Sequence, residues 1–163
     1  MAVRLEGRLA AIGTQVLITR PVEGSADGRN HPAPDETERA NFANEVGADL
    51  VVSIHVDSAR TSTPNGAATF YYGADRFGGA SVLGEQLARL VQDQIVARTD
   101  LVDCGSHPKT WDLLRRTRMP AVRLECGYLS NPGDAGRLAD AGFRGAVADG
   151  VAAAVVAFFA PPE

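Results

Sequence analysis

The sequence predicts an α/β domain of three layers, a mainly parallel, twisted sheet flanked by helices. Three observations lead there. Residues 16–19, 50–54 and 121–124 are short, β-rich apolar runs without two-residue alternation, the pattern of strands covered on both faces. Segments of helical periodicity lie between them. Clusters of Gly, Pro, Asn and Asp punctuate the joins. With 163 residues the chain suffices for one domain, residues 1–163, with an interior large enough for a core.

The elements follow in order. Leu5, Leu9 and Ile12 fall at helical spacing and Gly13 is a stop, so a helix is already under way at Met1. Val16, Leu17, Ile18 and Thr19 read as a strand ended by Pro21, and residues 21–35 as a loop. Residues 37–46 return to helix, with Phe42 and Val46 as the apolar face and Gly47 as the stop. Strands are expected at 50–54 and, rich in aromatics, at 68–72. Leu83, Leu87, Leu90, Val91 and Ile95 mark an amphipathic helix over 82–96. Residues 100–108 read as loop and 111–114 as a short strand; Pro120 leads into the strand at 121–124. The turn at 131–134 opens a helix. Phe143, Val147, Val151, Ala154, Val155 and Phe158 give a long C-terminal one.

Composition narrows the function classes. Hydrophobic residues make up 45% and charged residues 22%, as in an ordinary soluble domain. Net charge is −4, and the only basic cluster is Arg115, Arg116 and Arg118, so no nucleic-acid partner is expected. No apolar run reaches membrane-spanning length; the most apolar, 151–160, is too short. The N-terminus lacks the charged-then-apolar order of a signal peptide. Cys104 and Cys126 have the wrong spacing for a zinc ribbon or a redox pair and read as two free thiols.

In open α/β sheets, ligands bind beyond the carboxyl ends of strands. Here that rule selects Ser53 to Asp57, Leu124 to Tyr128 and the loop after Thr19 and Arg20. His55 and Glu125 each follow an apolar strand directly. A carboxylate in such a place is costly unless paired, metal-bound or solvated. A histidine and a glutamate converging on one rim suit a metal or acid–base site. His31 and His107 lie in polar loops beside prolines, where solvated histidines are ordinary, and Asp57 reads as an exposed loop carboxylate near His55.

The residues around these positions resemble a known family. Gly47 to His55 is similar to the "ADL-hydrophobic-SIH" segment of the zinc-dependent N-acetylmuramoyl-L-alanine amidases of type 3, and Arg39, Ala43 and Asn44 to its "R-x3-AN" helix. Trp111 to Thr117 resembles "L-x-VLR-x-T", Met119 to Asn131 resembles "MPAVLVE-x-GFLSN", and Val16 to Arg20 resembles "V-x-hydrophobic-TR". The resemblance covers the chain in order. It implies a zinc ion held by two histidines and a glutamate, with His55 as a ligand and Glu125 as the general base and acid. It also implies peptidoglycan or a muropeptide as the partner, cut between N-acetylmuramic acid and L-alanine. Zinc would polarise the amide carbonyl and lower the pKa of its water towards about 7.

The family's first ligand, in "DPGHGG", and the ligand glutamate opening its first helix have no counterpart here, and Glu6 stands too far along. The expectation is therefore a domain without the family's first strand and the start of its first helix. Its zinc site would be incomplete, the chain alone inactive, and neighbouring strand edges exposed. Residues 4–13 and 97–120 are most similar to the actinobacterial amidase-like cell-wall proteins. That likeness implies an alternative, a catalytically impaired regulator or binding module in peptidoglycan synthesis with a protein partner. The hydrolase reading implies a cell-wall or extracellular location and the regulatory one a cytoplasmic location.

Overall fold

The computed structural model describes residues 1–19, 34–74 and 78–161. The elements are α1 (Ala2–Ala10), α2 (Glu36–Glu45), β1 (Val51–Asp57), β2 (Ala67–Tyr72), α3 (Val82–Val96), β3 (Asp103–Lys109), α4 (Asp112–Arg116), β4 (Ala121–Tyr128), α5 (Pro132–Ala139) and α6 (Ala141–Phe159). The strands form one sheet in the order β1-β4-β2-β3. β1 runs parallel to β4 and β2 parallel to β3, while β2 and β4 are antiparallel. The sheet is thus mixed, with parallel ladders in the majority as expected.

Alternation along β4 divides the molecule. Val122, Leu124 and Cys126 are fully buried in the core with Leu87, Val91 and Ile95 of α3. Arg123 and Glu125 point to the opposite face, where α2 and α4 lie. α3 covers β2, β3 and β4; α6 packs alongside α3, and α1 against α6. α6 is long and apolar enough to cross a membrane by length and composition, which qualifies the sequence expectation. Here it serves as a core helix, burying Val147, Ala148, Val151, Ala154 and Val155. Side chains cap the helix starts: Asp35 and Glu38 form a capping box on α2, and Ser81, Asn131 and Asp140 cap α3, α5 and α6.

Several elements differ from expectation. Residues 16–19 form no strand: a strand needs a ladder, and these residues make none with the described residues. Among the described residues β1 likewise has no partner on its outer edge. Asp103–Lys109, expected as loop, is β3. Pro108 is tolerated because β3 lies at the sheet edge. Gly105, at φ +78°, takes up the register shift between the pairs Ala67–Asp103 and Thr69–Ser106. The short strand expected at 111–114 is instead the start of α4. Asp112 lies in its first turn and pairs with Arg115 and Arg116 one turn on, which favours the helix. On α2 the buried residues are Ala40 and Ala43, while Phe42 and Val46 are exposed. Ile12 also lies outside the core; α1 ends at Ala10.

Candidate acid–base site on the β1–β4 rim

Parallel pairing puts residues in register on the same face of neighbouring strands. His55 of β1 is in register with Glu125 of β4, and Ser53 with Arg123. Four polar side chains therefore stand in two adjacent rows near the carboxyl ends of these strands. Buried Ser53 makes a 2.8 Å hydrogen bond between its Oγ and His55 Nε2, which fixes the imidazole along the strand.

Glu125 is buried, with 5% of its surface exposed. Its Oε1 accepts from Arg123 Nε at 2.7 Å and lies 2.5 Å from a second guanidinium nitrogen. Oε2 is buried and finds no hydrogen-bond partner among the described residues. Burial pushes the Glu125 carboxyl above its ordinary range. The Arg123 guanidinium opposes that rise, and the charge of Asp57 adds to it.

Arg123 is fixed on further sides. It donates to Glu36 Oε1 of α2 at 2.9 Å, and its guanidinium carbon lies 4.5 Å from the Trp111 ring centroid. Trp111 in turn packs against Phe70 of β2 with centroids 4.8 Å apart.

The chain beyond Glu125 is held as firmly. Gly127 has φ +117°, and a Cβ there would stand 3.3 Å from Asp134 Cβ, so a side chain is disfavoured twice. Buried Asp134 accepts at Oδ2 from Gly66 N at 2.9 Å and Tyr128 N at 3.1 Å, tying the start of β2 to the exit of β4. Asn131 donates to Ser62 O at 2.8 Å, and Ser130 Oγ accepts from Ala59 N at 3.0 Å. The segment after Glu125 thereby anchors the loop after β1.

The two strand-end residues singled out in the sequence, His55 and Glu125, thus come together. Asp57 joins them through its field on Glu125. His107 does not: it sits on β3, with β2 between it and β4, and its Nε2 bonds Cys104 O at 2.6 Å. His31 lies outside the described residues. Both cysteines are free, Cys104 exposed and Cys126 buried, and Cys126 Sγ donates to His55 O at 3.0 Å. Arg123, Glu36 and Trp111 escaped the sequence reading. Arg123 carried a usable signal, a charge two residues before Glu125 in an apolar strand and so on the same face. Glu36 and Trp111 carried none, since their approach depends on how α2 and α4 pack.

The described residues do not fit a zinc ion by themselves. No group of three or more His, Cys, Asp or Glu among them could hold a metal. The carboxylate in register with His55, that of Glu125, already has one oxygen engaged by a cation.

Fold and rim define an α/β domain whose sheet presents a histidine beside a buried carboxylate. The chain belongs to the N-acetylmuramoyl-L-alanine amidase family, whose model matches residues 1–157. The N-acetylmuramoyl-L-alanine amidase CwlM of Mycobacterium tuberculosis is 44% identical over 155 residues, 95% of this chain and 36% of that protein. LytC of Bacillus subtilis, another such amidase, is 28% identical over 75% of this chain and 24% of its own length. The chain thus spans about a third or less of these two relatives. Among solved structures, the catalytic domain of CwlV from Bacillus (Paenibacillus) polymyxa superposes with a TM-score of 0.82 at 28% identity, covering 96% of this chain and 79% of that one. The amidase Ami1 of Mycobacterium smegmatis gives 0.81 at 26%, covering 96% and 72%.

Proposed function

We propose that this domain hydrolyses the amide between the lactyl group of N-acetylmuramic acid and the L-alanine of the peptidoglycan stem peptide. The observation that carries the reading is the register of His55 with Glu125 on one face of the sheet, within two motifs of the amidase family. Glu125 would take a proton from the attacking water and deliver it to the leaving amine. Its burial, which raises its proton affinity, suits a base working nearer neutral pH than an exposed glutamate. Oε2, which has no hydrogen-bond partner among the described residues, would be the oxygen that does this. His55 would be the chain's ligand towards the zinc that serves this family. The described residues offer no complete ligand set, so the steps assigned here are those of Glu125 alone. On this reading the domain works on the cell wall, outside the membrane.

The experiment is release of new amino termini from purified peptidoglycan and from a muramoyl peptide. Glu125→Gln should lower turnover by about 10²- to 10⁴-fold, the usual worth of a positioned acid–base group, and His55→Ala should lower it as well. Measurable wild-type turnover that Glu125→Gln leaves unchanged would rule out the assignment.

One observation favours a second reading. Arg123 engages Glu125 Oε1 directly, and a carboxylate paired with a guanidinium is a weaker base. The alternative is a regulatory or binding module in peptidoglycan synthesis, working in the cytoplasm with a protein partner. Muramoyl peptide binding with no turnover in any variant would select it.

A further inference from the structure

Arg123 is the feature of the rim that neither motif nor mechanism uses. It lies between two carboxylates, 2.5 Å from Glu125 Oε1 and 2.9 Å from Glu36 Oε1, with the Trp111 ring beside it. The side chain is mostly buried, 21% exposed, against 6% for that of Glu125. A guanidinium is charged at every accessible pH, and its planar fork suits two carboxylates at once. Removed from water, that fixed charge acts on its neighbours more strongly than an exposed one.

We propose that Arg123 is an internal counter-cation: its guanidinium satisfies Glu125 and Glu36 as a bound metal ion would, and so holds the rim in a form that retains divalent metal weakly. This follows from the mismatch between the described residues and a zinc site. It rests on Glu125 belonging to the rim that the proposed function uses, and it does not require hydrolysis. A second cation entering beside His55 meets the repulsion of Arg123 and a carboxylate already engaged. Removing the guanidinium leaves buried Glu125 and partly exposed Glu36 without their cation, and a divalent ion becomes the group that can satisfy them.

The test measures the zinc affinity of the full chain by competition with a chromogenic chelator, with zinc content after dialysis as a second readout. The proteins are the wild type, Arg123→Met, Arg123→Lys and the double variant Arg123→Met with Glu125→Gln. Arg123→Met should bind zinc at least about tenfold more tightly than wild type, a modest share of the repulsion between charges in a partly buried site. Arg123→Lys keeps the charge and should stay near wild type, while the double variant should lose the gain. Circular dichroism checks folding, and Arg123→Gln replaces Arg123→Met if the latter does not fold. Equal affinity in the wild type and the neutral variant overturns the proposal, as does an equal gain in Arg123→Lys. An affinity gain without amidase turnover supports it while counting against the hydrolytic reading, so the two fail separately.

Discussion

Cys126 shows how the burial of one residue governs its chemistry. It is fully buried, its thiol donates to the His55 carbonyl, and burial pushes it up to about 12. The thiolate is the reactive form. At pH 8 Cys126 therefore stays protonated, and only a pH approaching 12 would ionise it in the folded chain. Cys104 is exposed on β3, and its thiol is raised as well, chiefly by partial burial. An aromatic disulfide reagent at pH 8 should label one thiol per native chain, more slowly than a free cysteine. Cys104→Ser should abolish that reaction, and denaturant should reveal the second thiol. Two rapid equivalents in the native state would contradict the structure. At this scale the sequence was informative where chemistry follows from position along one strand. His55 and Glu125 end apolar runs and could be marked from the sequence. The link from Arg123 to Glu36 joins residues 87 positions apart and depends on the docking of α2, which no local pattern encodes.

Gly150 of α6 lies where that helix packs on α3. A Cβ there would lie 3.0 Å from Gln94 O and 3.1 Å from Ile95 Cδ1, so an alanine requires α3 to give by a few tenths of an ångström. Gly7 of α1 has nothing within 4 Å of the same point. Both glycines lie in helices, where alanine is intrinsically better by about 1 kcal/mol. At Gly150 the obstructing atom is a backbone oxygen, and overpacking typically costs about 1–3 kcal/mol. Gly150→Ala should therefore lower the melting temperature by a few degrees, at about 2–4 °C per kcal/mol for a domain of this size. Gly7→Ala should leave it unchanged or raise it. A higher melting temperature for Gly150→Ala would show that the helices separate at little cost. The long helices were legible because their apolar residues recur over several turns. β3 and α4 were not. β3 contains Gly105 and Pro108 and is a strand only because β2 offers it an edge. α4 has five residues, too few for periodicity to speak.

At the scale of the molecule, the three-layer α/β class was legible from apolar runs alternating with helical segments. The reversed direction of β2 and β3 relative to β1 and β4 was not, because strand direction belongs to the connections. The strand order has one further consequence. Among the described residues β4 is the last strand, yet it is the only link between β1 and the pair β2–β3: Val51 meets Ala121, and Ala67 meets Cys126. None of the four described strands forms a hairpin with the next, so each of their ladders closes a long loop. A chain ending at residue 118 would contain three of the four described strands and keep only the β2–β3 ladder, with β1 left out of the sheet. Such a fragment should show no cooperative melting and should be degraded by protease at concentrations that spare the full chain. Among the described residues β1 pairs with β4 alone, so during synthesis from the N-terminus that ladder forms only after residues 121–128 have emerged.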